Sequence, residues 1–168
     1  FRRVLFRSYV AHLLSGRITV FDEKGKQIRE WGGNGTTLGQ FQQPGGMAFA
    51  PNGTLYIADQ VNRRVQQFTP EGKFLRQWGE YGVAPGQFGG NTPPANRTGG
   101  PQFVTVDAHG DVYTTEGSVG RIQKFTAEGK YILSWGSNGT EPGGFGGRPK
   151  NLPGPIAIAT DKMGKVWV

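Results

Sequence analysis

Three stretches of this 168-residue chain are written in nearly the same letters. Tyr9–Phe21 reads YVAHLLSGRITVF, Tyr56–Phe68 reads YIADQVNRRVQQF and Tyr113–Phe125 reads YTTEGSVGRIQKF. Each runs on through a Gly turn to Trp-Gly and then to Gly-x-Phe: WGGNGTTLGQF from Trp31, WGEYGVAPGQF from Trp78 and WGSNGTEPGGF from Trp135. The three tyrosines are 47 and 57 residues apart, and Gly25, Gly72 and Gly129 keep the same intervals. A second half-unit recurs from Pro44 (PGGMAFAPNGTLY), Pro101 (PQFVTVDAHGDVY) and Pro155 (PIAIATDKMGKVW). Self-similarity at a period of about 50 residues calls for stacked units, each buried against its neighbours.

One unit holds four short runs, which in the second copy are Met47–Ala50, Leu55–Ala58, Arg64–Phe68 and Phe74–Trp78. They are rich in β-branched and aromatic residues and bounded by Gly, Pro and Asn, so they read as strands. Pro51-Asn52-Gly53 and Pro70-Glu71-Gly72 are short connections ending in Gly, as antiparallel hairpins require. No sustained 3.6-residue apolar period is present, so no helix is expected. Four antiparallel strands at this period describe a β-propeller blade, and the fold class is all-β.

The stretch PGGMAFAPNGTLYIADQVNRRVQQFTPEGKFLRQWGEYGVAPGQF resembles a complete NHL repeat, and the likeness extends over nearly all of the chain from Tyr9. The resemblance implies a TolB-like ring of six blades, of which this chain supplies about three and a quarter. The expected division is a partial blade at 9–41, blades at 42–88 and 89–145, and a partial blade at 146–168. The expected partners therefore include further blades of the same ring. Residues 1–8 (FRRVLFRS) fit no part of the unit and resemble the translation of a sequencing-library adapter, so they are expected to be non-native and the chain a metagenomic fragment; the alternative is a natural basic stretch entering the second strand.

That segment matters for charge. The formal net charge of +7 includes Arg2, Arg3 and Arg7; from Tyr9 onward, 16 Lys and Arg against 12 Asp and Glu leave +4. Asp59, Glu80, Glu116 and Glu141 are expected among Arg63, Arg97, Arg148 and Lys150 on one face. Such mixed charge argues against a phosphate-driven nucleic-acid footprint. Zero Cys excludes disulfides and thiolate metal sites. No apolar run approaches the length of a membrane span. The family resemblance implies a secreted or periplasmic location. Asn34, Asn52, Asn96 and Asn138 open Asn-x-Thr sequons, better read as turns.

Blade topology places two kinds of loop at one end of the ring: those joining the second strand to the third, and those leading to the next blade. The latter vary, from a direct link between Phe41 and Pro44 to long Gly/Pro-rich segments after Phe88 and Phe145. Variable loops on a rigid scaffold are where binding residues gather, so Arg97, Arg148, Lys150 and Asn96, with Asn91 and Asn151, are the candidate ligand-binding residues. The plainer reading is that these loops only pack the end of the ring.

His12, Asp59 and Glu116 occupy equivalent positions at the end of the second strand and are the candidate metal ligands, for Ca or Zn. Five residues on, however, every copy carries Arg: Arg17, Arg64 and Arg121. The competing reading is therefore an acid–Arg contact that fixes the loop between the strands. Trp31, Trp78 and Trp135 read as inter-blade packing with the indole N–H near the surface; Tyr56, Tyr113 and Trp167 read as core.

No nucleophile–base pair or phosphate loop appears. The expected function is a binding module that uses its loop face for a protein, peptide or small-molecule ligand. The alternative, implied by resemblance alone, is a metal-dependent lyase or hydrolase like peptidyl-hydroxyglycine α-amidating lyase or the gluconolactonase-like propellers.

Overall fold

A computed structural model describes residues 7–89, 99–145 and 154–168. No helix occurs among them, and the strands fall into consecutive antiparallel sheets that follow the repeat. The first sheet is β1 (Ser8–His12), β2 (Arg17–Phe21) and β3 (Gln27–Gly32), in that order. The second is β4 (Pro44–Phe49), β5 (Leu55–Asp59), β6 (Arg64–Phe68) and β7 (Phe74–Trp78). A short parallel pair, β8 (Tyr81–Gly82) and β9 (Phe88–Gly89), follows. The third blade is β10 (Phe103–Val106), β11 (Val112–Glu116), β12 (Arg121–Phe125) and β13 (Tyr131–Trp135). A two-stranded ladder, β14 (Ala159–Thr160) with β15 (Val166–Trp167), opens the next unit. These are blades of a β-propeller fragment.

Strand boundaries agree with the repeat except on the inner strand, which begins at Pro44 rather than Met47. Its register slips between Pro44 and Met47, and the extra residues are glycines for a reason of space. Gly46 N–H donates to Gln102 O at 2.8 Å, and a Cβ on Gly46 would lie 2.9 Å from Phe103 Cα. Two inner strands meet there backbone to backbone, which only Gly permits.

The core lies between blades. Ile18 and Phe41 from the first unit pack with Leu55, Ile57 and Phe68 of the second, flanked by Trp31 and Phe74. Tyr56, Val65 and Phe88 pack with Val104, Val112 and Phe125 of the third, flanked by Trp78 and Tyr131. Trp31 lies against Gly72 and Trp78 against Gly129, where an added Cβ would enter the indole ring. The indole nitrogens are therefore not near the surface: Trp31 Nε1 and Trp78 Nε1 are buried with no hydrogen-bond partner. Tyr9 Oη donates to Pro70 O at 3.1 Å and Tyr56 Oη to Ala127 O at 2.9 Å, each tying a blade to the next one's outer hairpin. Trp167, expected in the core, is exposed and donates from Nε1 to Asp161 Oδ2 at 3.1 Å.

After each Trp the chain makes a closed loop. Parallel bridges join Asn34 to Phe41, Tyr81 to Phe88 and Ser137 to Gly144. The Phe returns over the Gly that follows Trp: a Cβ on Gly79 would lie 2.5 Å from the Phe88 ring, and one on Gly136 2.5 Å from the Phe145 ring. This steric demand explains why Trp-Gly and Gly-x-Phe recur together.

Candidate functional site

The ladders put the described roots of the inter-blade connections at one end of the blades. Pro44 pairs with Asp59, Asp59 with Arg64, and Val65 with Trp78, so the start of β4, the β5–β6 turn and the end of β7 share that end. Phe103 opposite Thr115 and Glu116 opposite Arg121 repeat the arrangement in the third blade.

Asp59 is fully buried and Arg64 nearly so, with Arg64 Nε 2.7 Å from Asp59 Oδ2. Asp59 also accepts from Gln42 N–H at 2.8 Å, from Asn62 Nδ2 at 2.9 Å and from Gln66 Nε2 at 3.0 Å. Arg64 continues outward, donating to Thr37 O and Gln40 O at 2.9 Å each and to Gln77 Oε1 at 2.7 Å. Gln66 donates to Gln40 O at 2.8 Å and accepts from Gly39 N–H at 3.0 Å. Thr37, Gly39 and Gln40 belong to the preceding unit's closed loop, and Gln42 follows it. The Asp–Arg–Gln set is thus a clasp between blades.

The third blade repeats it. Glu116 is fully buried, accepts from Arg121 Nε at 2.8 Å and from Gln123 Nε2 at 2.8 Å, and receives Gly89 N–H at 3.0 Å. Arg121 donates to Val83 O and Gln87 O at 2.9 Å each; Gln123 donates to Gln87 O at 2.8 Å and accepts from Gly86 N–H at 3.0 Å. A longer Glu in place of Asp serves the same purpose. Burial pushes the Asp59 carboxyl above its ordinary 3.8, opposed by its hydrogen bonds from Asn62, Arg64 and Gln42 and by the Arg64 charge.

The first blade departs from this pattern. His12 replaces the acid and Thr19 the Gln, while Arg17 turns to Glu30 on the outer strand, Nη1 to Oε1 at 2.9 Å. Thr19 Oγ1 lies 3.3 Å from Glu30 Oε2 and 2.8 Å from His12 Nε2, so it links the imidazole to the outer-strand carboxylate. His12 is exposed.

His12, Asp59 and Glu116 do not come together as one metal centre. Each belongs to a different blade, and the oxygens of both acids accept from their own Arg and Gln. Among the described residues no three His, Asp or Glu form a group that could hold a metal ion. Arg97, Arg148, Lys150 and Asn96, with Asn91 and Asn151, lie outside the described residues. Of the charges expected on the loop face, Asp59, Arg63 and Glu116 are buried; Glu80 and Glu141 are exposed. The sequence did carry a signal for the clasp beyond its acid–Arg spacing, in the Gln two places after Arg64 and Arg121.

The remaining polar cluster lies at the opposite end. Lys124 Nζ is 2.7 Å from Asp111 Oδ2, and Tyr113 Oη donates to buried Asp107 Oδ2 at 2.9 Å. Hydrogen bonding to Asp111 holds the Lys124 ammonium above its ordinary range. In the second blade Gln67 takes the equivalent place, donating to Thr54 Oγ1 and Tyr56 Oη at 2.8 Å each. His109 lies in the Asp107–Asp111 turn, where its N–H donates to Asp107 Oδ1 at 2.9 Å.

No helix among the described residues is long and apolar enough to cross a membrane. No curated protein sequence matches the chain. The structure is similar to virginiamycin B lyase from Staphylococcus aureus, with 17% identity, a TM-score of 0.62 and coverage of 96% of this chain and 44% of that one. A streptogramin B lyase structure matches at 18% identity and TM-score 0.63, over 99% of this chain and 45% of that one. A protein of unknown function from Bacteroides thetaiotaomicron matches at 17% identity and TM-score 0.65, over 95% and 38%. The chain thus spans less than half the length of these structures, and identities this low establish the fold alone. In sequence, the NHL repeat family model matches residues 41–68, from the Phe that closes one loop to the end of β6. Residues 41–68 thus match the NHL repeat, and the fold of the described residues is that of β-propeller blades.

Proposed function

We propose that the complete propeller is a binding module that takes a protein, peptide or small ligand on the end bearing the long inter-blade loops. One observation carries the reading: each of the two clasps fixes the root of an inter-blade connection through a buried carboxylate, Gln42 N–H on Asp59 and Gly89 N–H on Glu116. Loops of unequal length leaving rigid, desolvated roots are a suitable framework for recognition, because little order is lost when a ligand binds. Arg97, Arg148, Lys150 and Asn96 would supply the polar contacts.

The test is a peptide and glycan array probed with the complete protein. Arrayed hits should weaken at least about tenfold in the Arg97→Ala/Arg148→Ala/Lys150→Ala variant. They should persist when Lys73 and Lys130, at the opposite end, are changed to Ala. Hits indifferent to the first set, or lost with the second, would reject the loop face. The likeness in fold to virginiamycin B lyase, one structure of which was determined with quinupristin, makes an enzymatic alternative concrete. Conversion of quinupristin to a new species, followed by liquid chromatography, would favour that alternative over simple binding.

A further inference from the structure

Arg63 is a buried cation in a left-handed backbone conformation. Its φ is 58°, and only 6% of its surface is exposed. The equivalent residues of the neighbouring units are Gly16 (φ 65°) and Gly120 (φ 72°), so the conformation belongs to the repeat while the side chain is peculiar to the second blade. Left-handed geometry is unfavourable for any residue with a Cβ, and its retention points to a compensating role.

The sister blades could not hold that side chain. A Cβ on Gly16 would lie 2.5 Å from Phe41 O and 2.6 Å from Gly33 O; one on Gly120 would lie 2.6 Å from Asn138 N. Their closed loops carry Asn34 and Asn138 where the second blade's loop carries Tyr81. Two replacements therefore occur together: Gly with Asn in the first and third blades, Arg with Tyr in the second. The two new side chains meet, with Arg63 Cζ 5.6 Å from the centre of the Tyr81 ring.

The guanidinium also lies against two points ten residues apart in the chain. A Cβ on Gly89 would fall 2.9 Å from Arg63 Cζ, and one on Gly99 2.8 Å from the same atom. A Cβ on Gly100 would fall 3.2 Å from Arg63 Cδ. We infer that Arg63, stacked on Tyr81, is a positioning residue that staples Gly89 to Gly99–Gly100 and so fixes the base of the long connection between the second and third blades. The pair is particular to this connection: Gly16 with Asn34 and Gly120 with Asn138 stand in its place in the neighbouring units, whether the segment that follows is short, as after Phe41, or long, as after Phe145. This anchoring stands independently of whatever the loop face binds.

Amide hydrogen exchange on the full chain tests it, comparing Arg63→Gly, Arg63→Lys, Tyr81→Asn and the Arg63→Gly/Tyr81→Asn double variant, which restores the pair of the sister blades. Arg63→Gly relieves the left-handed strain, so the fold should be retained. Exchange at Gly89 and across 99–102 should nevertheless rise roughly tenfold or more, with β11 and β12 unchanged. Arg63→Lys, which keeps the charge and loses the planar fork, should fall between. Tyr81→Asn should add little to Arg63→Gly, since one contact cannot be lost twice. Unchanged exchange at Gly89 and 99–102 in Arg63→Gly, or a fully additive double variant, would overturn the inference. A uniform rise over all strands in both Arg63→Gly and Arg63→Lys would likewise overturn it, by reducing Arg63 to a general stabiliser.

Discussion

At the scale of single residues, position within the repeat matters less than the neighbours it meets. Asp59, Glu116 and His12 are equivalent by register, yet two are buried acids with several donors each and the third is an exposed imidazole with one partner. Removing one member of a buried, hydrogen-bonded ion pair leaves an uncompensated charge, so Asp59→Ala and Glu116→Ala should each cost about 3–5 kcal/mol. His12→Ala should cost no more than about 1 kcal/mol, the loss of one exposed hydrogen bond. Urea denaturation of the three variants checks the contrast, and equal losses would show that the clasp does not distinguish the blades. The acid and Arg of the clasp were legible five residues apart. What they hold was not, because the acceptors are main-chain carbonyls of the preceding unit, and a carbonyl leaves no letter in the sequence.

At the scale of the element, the closed loop after each Trp is a steric lock between a glycine and a phenylalanine nine residues later. Gly79 has φ 100°, and a Cβ there would meet both the Phe88 ring and Arg63 O at 2.8 Å. Gly79→Ala should therefore destabilise by roughly 1–3 kcal/mol through strain and displacement of Phe88. Gly53, whose Cβ would meet nothing within 4 Å, carries only the conformational part of that penalty. Thermal unfolding of Gly79→Ala beside Gly53→Ala checks this, with the larger loss expected in Gly79→Ala. The strands themselves were readable from their β-branched and aromatic residues and the turn residues that bound them. The inner-strand bulge was not, because what demands glycine at Gly45 and Gly46 is the backbone of Gln102 and Phe103, more than fifty residues away in the chain.

For the molecule as a whole, cohesion is a nearest-neighbour property. Both hydrophobic clusters straddle two units, and both clasps run from the closed loop of one unit to the second and third strands of the next. In such an arrangement stability is close to a sum of unit and interface terms. Gln123→Leu deletes the donor to Gln87 O and to Glu116 and the acceptor for Gly86 N–H. It should raise amide exchange at Gly86 and Gly89 well above that at Gly39 and Gln42, the corresponding amides of the other clasp. An equal rise at both clasps would indicate global rather than neighbour-by-neighbour cooperativity.

The repeat by itself determined that this chain forms antiparallel blades, because strand period, hairpin glycines and recurring aromatics are local demands written in adjacent letters. It also determined at which end of the blades each inter-blade connection starts, since strand order and direction follow from the hairpins. Only the tertiary structure showed Asp59 and Glu116 as the buried centres of hydrogen-bonded clasps between blades. Only the tertiary structure brought Arg63 to Tyr81, Gly89 and Gly99. Both outcomes depend on burial and on contacts between units, and desolvation and main-chain acceptors act through space, where the order of residues does not specify them.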